Sequence, residues 1–368
     1  MGRGTVAEIS LGAIRDNVKA IRDALPDGVR LMAVVKANGY GHGAAESARM
    51  AVDGGAERLA VAYLEEALDL RAEGIQLPIL ILTPIHPADV HQALRHELMV
   101  TVAGADWFYA MRKELGGKLP GKLKVHIKAD TGLGRLGLRS LEEWEALVPW
   151  LKADDIEVDG FYTHFATAGK ADTSFLERQY ARFQEMLGWC AASDIQPRHC
   201  HCAGSAAALR FPGLSMDMVR IGAAMYGFSP AKPGLEIALK PAMALKSSLI
   251  AVRKLVAGES LGYDNSYTAS GEEWIGTVPI GYADGWHQGL RHAEVLVEGQ
   301  RAPIVGKICM DQLMVKLPRA CPAGTPVVLI GNQGGNCIAA AELAMHLSSV
   351  PQEVSSSLSP RVERVYIS

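Results

Sequence analysis

The sequence predicts an α/β protein, with an N-terminal (β/α)8 barrel over residues 1–228 and a C-terminal β-rich domain over residues 229–368. Three observations carry this prediction. Short β-branched runs alternate with helical patterns from residue 31 to about residue 220. The composition changes after Tyr226. The 368 residues also exceed the usual length of a single domain.

The runs are Leu31–Lys36, Leu59–Ala62, Pro78–Leu82, Leu98–Val102, Leu123–Lys128, Val158–His164, Arg198–Cys202 and Met216–Arg220. Most are followed by room for a helix, which is the pattern of βα units and a parallel sheet. One helix is well marked: Leu176, Tyr180, Phe183, Leu187 and Cys190 recur at spacings of four and three, and Ser174 with Glu177 reads as a capping box. Ser229-Pro230 and Lys232-Pro233-Gly234 then punctuate the chain. Beyond them Ala244–Val256, Trp274–Ile280, Glu294–Val297, Ala302–Ile308, Leu313–Lys316 and Val327–Ile330 read as strands, and Ala339–Leu347 as a helix.

Nearly half the residues are apolar and 21% are charged with both signs interspersed, so a folded globular chain is expected. A net charge of -3 offers no field for nucleic acid or an anionic membrane. The opening MGRGTVAEIS lacks the apolar stretch of a secretory signal and the hydroxyl residue of a myristoylation site. The longest apolar run, Leu77 to Leu82, is far short of the ~20 residues needed to span a bilayer. A cytoplasmic, small-molecule enzyme is the expectation. The six cysteines are scattered through a large apolar chain and are read as reduced thiols.

In a (β/α)8 barrel the active site lies at the C-terminal ends of the strands, so polar residues there are the candidates. The first run ends in Lys36, within AVVKANGYGHG. A lysine following an apolar strand would enter a desolvated pocket, which lowers its pKa and makes it a Schiff-base nucleophile. The alternative is a lysine that snorkels at the rim. Gly39, Gly41 and Gly43 favour the first reading, because they let the backbone approach a ligand closely.

The fifth run leads into Lys128-Ala129-Asp130-Thr131-Gly132-Leu133-Gly134-Arg135-Leu136-Gly137. Residues 132 to 137 match G-x-G-x-x-G, but on the fifth βα unit, where a dinucleotide fold would have them on the first. The other reading presents Arg135 as a fork for a substrate carboxylate, with Lys128 as an odd second cation. His164 closes the sixth run. His199 and His201 share a face of the seventh and would suit zinc, but no third ligand follows at suitable spacing, so structural histidines are expected and no metal. Ser205 should open a helix and form a phosphate seat. Arg220, Gly222 and Ala223 add a cation and close backbone approach at the eighth run.

Taken in order, AVVKANGYGHG, IKADTGLGRLGL, YTHFAT, MVRIGAAMYG, IGYADG and IVGKICMDQLMV resemble the successive signatures of the alanine racemase family, and Ser359-Pro360-Arg361-Val362 is also similar. The resemblance covers essentially the whole chain. It implies a pyridoxal 5'-phosphate aldimine on Lys36, with the phosphate held by Tyr40, Ser205 and the backbone of Gly222 and Ala223. It implies that His164 lies against the cofactor ring and that Arg220, backed by His201, faces the ring nitrogen. Racemisation needs bases on opposite faces of the α-carbon. Lys36 and Tyr263 match the family's pair, so L- and D-alanine would interconvert, supplying D-alanine for peptidoglycan.

The resemblance further implies a homodimer in which Tyr263, Tyr282 and Met310 cross from the partner subunit. Arg135 and the Met310 backbone would hold the substrate carboxylate, and Asp311 would stand behind Met310. The lysine matching Lys128 is carbamylated in many members. Gly204 departs from the family's usual Asn, and Gln352 and Glu363 depart from its usual Tyr and Pro. A preference for serine or another small amino acid, a decarboxylase of the same barrel type and a non-enzymatic cofactor carrier are the alternatives. Arg135 argues against decarboxylation, and the β-rich domain against a carrier.

Overall fold

The computed structural model describes residues 3–228 and 237–368. The expected boundary at 229, with its proline and glycine punctuation, lies outside the described residues. The chain forms two compact units: one takes in Ile14–Gly39 and Ala44–Lys240, the other Met1–Ala13, Tyr40–Gly43 and Pro241–Ser368.

The first unit is the (β/α)8 barrel. With β1 at Val6–Ser10, its strands are β2 (Arg30–Val34), β3 (Arg58–Val61), β4 (Ile79–Ile81), β5 (Met99–Val102), β6 (Leu123–Lys128), β7 (Ile156–Tyr162), β8 (His199–His201) and β9 (Met218–Ile221). Each falls on one of the runs expected from sequence. All pair in parallel, in the order β8-β7-β6-β5-β4-β3-β2-β9. The ring closes where Asp217 N–H donates to the Cys200 carbonyl at 3.2 Å and Arg220 N–H to the Ala203 carbonyl at 2.9 Å. Apolar runs suit strands covered on both faces, and Leu31, Met32, Leu59, Leu80 and Val100 are fully or almost fully buried.

Helices pack outside this ring. Ser174–Ala192 is the helix expected from its apolar spacing, but the capping-box reading is corrected: the N-cap is Thr173, and Ser174 is already helical, its N–H donating to Asp172 Oδ1 at 2.9 Å. Leu141–Leu151 does carry a capping box, from Ser140 to Glu143.

The second unit is β-rich. Its strands are β10 (Met243–Ser248), β11 (Ala251–Leu255), β12 (Ser260–Leu261), β13 (Tyr267–Thr268), β14 (Glu273–Val278), β15 (Glu294–Val297), β16 (Gln300–Val305), β17 (Leu313–Leu317), β18 (Pro326–Gln333), β19 (Asn336–Ile338) and β20 (Glu363–Ile367). The main sheet runs β11-β14-β17-β16-β15-β18-β10-β1-β20, and β19 pairs β18. Leu255, Ala269, Ile275, Val305 and Met314 form one buried cluster within it.

Two expectations are corrected here. Ala244–Val256 is two strands, because β10 pairs β1 and β18 whereas β11 pairs β14. Val6–Ser10 does not pair with the barrel strands: β1 lies antiparallel to β10 and parallel to β20. Its alternating burial, with Ala7 and Ile9 covered, matches an antiparallel partner better than a barrel strand. Among the described residues no helix is long and apolar enough to cross a membrane, and all six cysteines are free.

Candidate active site

The chain leaves β2 at Val34, two residues before the strand end expected from sequence, and then makes a left-handed turn. Ala37, Asn38, Gly39 and Tyr40 have φ of 52°, 50°, 60° and 54°. Left-handed backbone costs roughly 1–2 kcal/mol for each residue bearing a Cβ, so other contacts must hold this turn. Gly39 N–H donates to the Val35 carbonyl at 2.9 Å. Asn38 Oδ1 takes Ala44 N–H at 3.0 Å. Glu66 takes Ala37 N–H at 2.6 Å with one oxygen, and Ala62 and Tyr63 N–H at 2.7 and 3.1 Å with the other. The turn fixes where the Lys36 side chain begins. Burial, reinforced by the Arg135 charge, lowers the Lys36 pKa and favours the neutral amine. Burial pushes the Tyr40 phenol up to about 12.

Residues two apart on a strand share a face, so Lys128 and His126 on β6, Tyr162 and Gly160 on β7, and His201 and His199 on β8 all turn into the barrel. Lys128 donates to the Ala129 carbonyl at 2.9 Å and lies 5.1 Å from the Tyr162 ring centroid. Burial, with Arg220 nearby, lowers its pKa to about 7. Arg220 is 5% exposed. It donates to His201 Nδ1 at 2.6 Å, His164 Nδ1 at 3.0 Å and the Thr163 carbonyl at 2.7 Å. The pairing of Arg220 with His201 expected from sequence is therefore present. Burial and then Arg220 hold both His164 and His201 well below the ordinary histidine range, so both rings are neutral.

Gly204 adjoins His164: a Cβ at this position would come within 2.9 Å of His164 Cε1. The glycine that departs from the family pattern thus leaves room for the histidine ring. Ser205 opens a six-residue helix, Ser205–Arg210, and its Oγ takes the N–H groups of Gly222 at 3.1 Å and Ala224 at 3.3 Å.

The glycine motif at 132–137 opens no helix. Gly132 and Gly134 N–H instead donate to Asp130 Oδ1 at 3.1 and 3.0 Å, leaving Arg135 exposed on the loop. The dinucleotide alternative lacks its helix N-terminus. The metal alternative meets committed nitrogens: His199 Nε2 takes Arg58 and Arg30, and His201 uses both of its ring nitrogens.

Tyr263, Tyr282, Met310 and Asp311 lie in the β-rich unit. Tyr263 begins a short turn and is 67% exposed, as Tyr282 is at 45% and Met310 at 53%. Tyr263, Met310 and Asp311 line a cavity of about 570 Å³. Tyr282 N–H donates to the Cys309 carbonyl at 3.1 Å, and Ala283 N–H to that of Met310 at 3.0 Å, so Tyr282 and Met310 are held together. Asp284, fully buried, anchors this turn through Gly281 N–H at 2.9 Å and ion pairs with Arg3 at 2.6 Å and Arg361 at 3.3 Å. Arg361 also holds Asp311 at 2.7 Å. Gln352 lies on the helix Pro351–Ser356, and Glu363 is the exposed first residue of β20.

Sequence reasoning missed Glu66, Asp284, His126 and Asp159. Asp159 had a signal, a carboxylate between Val158 and the Gly160-Phe161-Tyr162 stretch of the sixth run, whereas Glu66 looks like any acid in a first helical turn.

The family model for the alanine racemase N-terminal domain matches residues 9–230, and that for the C-terminal domain matches residues 242–366. The chain is 48% identical to the alanine racemase of Geobacillus stearothermophilus, over 99% of this chain and 94% of that protein. The crystal structure of alanine racemase from Bacillus anthracis with bound L-Ala-P superposes with a TM-score of 0.97 at 42% identity, covering 100% of this chain and 96% of that one. A histidine racemase from Leuconostoc mesenteroides superposes at 0.90 with 31% identity, covering 100% and 98%. Full-length matches to both domain models and to these relatives show that the chain belongs to the alanine racemase family.

Proposed function

We propose that the protein interconverts L- and D-alanine with pyridoxal 5'-phosphate held on Lys36, as a cytoplasmic homodimer that supplies D-alanine for peptidoglycan. The observation that carries this reading is Lys36 itself, an amine just past the C-terminal end of the first barrel strand whose pKa is lowered by burial and by Arg135. The donor set fits the cofactor: a nucleophilic amine for its aldehyde, the Tyr40 and Ser205 hydroxyls with the backbone of Gly222 and Ala223 for its phosphate, and Arg220 with His164 for its ring. When bound, the cofactor supplies an electron sink for the charge left on the α-carbon when its proton departs.

The remaining work belongs to the chain. Lys36 takes and returns the α-proton on one face, and Tyr263 of the partner subunit does so on the other. Arg135, with the Met310 backbone of the partner subunit, holds the substrate carboxylate. Tyr282 of the partner subunit narrows the entrance. The exposure of Tyr263, Tyr282 and Met310 supports a partner that covers them. Arg220 does not surrender its proton, so it would offer the ring nitrogen of the bound cofactor a hydrogen bond and no proton, making a weaker electron sink that would restrain side reactions.

Incubation with L-alanine, L-serine and L-histidine in D₂O tests the reading. Loss of optical rotation with α-deuterium uptake, fastest for alanine, is expected. Rotation lost fastest for serine would move the assignment to a racemase of another small amino acid, and a yellow protein without exchange would move it to a carrier.

Lys128 yields a separate expectation. With a pKa of about 7 its amine is largely neutral above that pH, which is the form that adds carbon dioxide to give a carbamate and a proton. The carbamate would orient Arg135 as an anion. Labelled bicarbonate should give a carbamate resonance that Lys128→Met lacks. In bicarbonate-free buffer, the unfolded chain keeps the lysine proton up to about 10.5 while the folded chain loses it near 7. Stability should therefore rise with pH across that window, and the rise should flatten in Lys128→Met, as melting curves would record.

A further inference from the structure

A hydrogen-bonded chain of buried side chains runs through the barrel interior from Arg220 to Asp159. Arg220 Nη1 meets His201 Nδ1 at 2.6 Å, and His201 Nε2 lies 3.0 Å from His126 Nδ1. His126 Nε2 in turn lies 2.9 Å from Asp159 Oδ2, which also takes Arg58 Nη1 at 2.6 Å. Both histidines are fully buried, and Asp159 is 2% exposed.

The barrel is shaped for this chain. Val125 pairs with Val158 but His126 with Gly160, so Asp159 is the extra residue of a β-bulge, a device that re-aims a side chain. A Cβ on Gly160 would fall 2.2 Å from His126 Nδ1, so only glycine admits that ring. Tyr162 stacks on His201, with ring centroids 4.8 Å apart and planes 5° from parallel.

The two ends dictate the protons. A guanidinium only donates and a carboxylate only accepts. Arg220 therefore requires a bare Nδ1 on His201, and Asp159 requires a protonated Nε2 on His126. Neutral imidazoles then carry their protons on Nε2 in both rings, and His201 donates to His126. Turning either ring's proton around sets donor against donor or leaves a buried nitrogen unsatisfied. Among the described residues Arg220 pairs with no carboxylate: its other acceptors are His164 Nδ1 and the carbonyls of Thr163, His201 and Cys202. A carboxylate placed directly against it would engage its fork and cancel its field.

We propose that His126 and Asp159 are positioning residues that keep His201 a pure acceptor, so that Arg220, with no carboxylate against it, points its charge at the cofactor ring. The proposal rests on Arg220 being the partner of the ring nitrogen. The two imidazoles orient Arg220 without neutralising it, while the charge of Asp159 is met by Arg58 at the far end of the chain. In Asp159→Asn a neutral amide oxygen replaces the charged acceptor that takes both Arg58 Nη1 and His126 Nε2, so the Nε2 proton of His126 is held less firmly and the reversed tautomers, which set an N–H of His201 against Arg220, gain population.

The test begins with the unaltered holoenzyme carrying nitrogen-labelled histidine. His126 and His201 should both appear as neutral Nε2–H tautomers; a His201 protonated on Nδ1 overturns the proposal, and this measurement stands even if no variant folds. Folded Asp159→Asn should lose about 10- to 100-fold in kcat, the range typical of groups that orient a functional histidine from behind. The KM for alanine should stay unchanged, while the visible absorption of the cofactor shifts and a larger share of turnovers leaves the amino group on the cofactor and releases pyruvate. A merely structural residue would lower activity without altering that partition. Absence of alanine racemisation in the unaltered protein defeats the functional reading and leaves the tautomer result standing. An active parent with an Asp159→Asn variant matching it in rate, spectrum and partition defeats the relay alone.

Discussion

Lys36→Ala should fold normally, remain colourless with pyridoxal 5'-phosphate and racemise alanine on the order of 10⁴-fold more slowly or worse, since it loses a covalent anchor and a proton-transfer group together. Folding should survive because Lys36 lies past the end of β2 and is not among the fully buried residues that close the ring. A thermal melt within a few degrees of the parent, combined with an absent yellow colour, is the expected pair of readings. A yellow Lys36→Ala protein retaining more than a trace of activity would assign the amine to another lysine, of which Lys128, with its pKa near 7, is the obvious competitor. Adding a small primary amine should restore part of the exchange in Lys36→Ala if the missing group is a base, and none if the loss comes from misfolding.

Tyr263→Phe separates the two faces of the reaction. The variant keeps Lys36 and its surroundings, so it should bind cofactor and stay yellow. In D₂O it should exchange the α-hydrogen of one enantiomer with retention, because Lys36 can still remove and return a proton on its own face. Conversion of L- to D-alanine should fall by about 10²- to 10⁴-fold, the range for a positioned acid or base. Chiral separation followed by mass measurement distinguishes the outcomes. Equal loss of exchange from both enantiomers would mean that the phenol positions substrate and transfers no proton. Tyr263 lies 67% exposed in the β-rich unit, so mixing Tyr263→Phe with Lys36→Ala adds a second reading. If the phenol crosses between subunits, heterodimers recover one intact site and part of the activity; if it serves its own barrel, mixing recovers nothing.

The barrel was legible because its signals are local. Each strand is a short apolar run, and the residues that end or follow those runs, Lys36, Lys128, His164, His201 and Arg220, announce themselves by polarity at the edge of an apolar segment. The β-rich unit was less so, since a run such as Ala244–Val256 does not reveal that the chain changes partner midway, and β12, β13 and β19 are two or three residues long. The affiliation of β1 could not be read from alternation alone, because both of its partners are distant in sequence. Asp159 shows a different limit. Its type and position were visible, but the inward aim of its side chain comes from a bulge of one residue, which leaves no trace in periodicity. The left-handed turn after Lys36 was half visible: its glycines suggested unusual backbone, yet Ala37 and Tyr40 adopt the same conformation without that licence.

The placement of β1 has a consequence for the chain as it is made. Val6–Ser10 leaves the ribosome well ahead of its partners, since β10 begins at Met243 and β20 at Glu363. At about 5–20 residues per second, β1 waits on the order of ten to fifty seconds for its antiparallel neighbour and longer for its parallel one. Its edges are unpaired throughout, while barrel segments can already close on one another. The last contact of this sheet to form is thus the one between β1 and β20. Synthesis halted short of Glu363 would leave one edge of β1 exposed, a template for pairing with a neighbouring nascent chain.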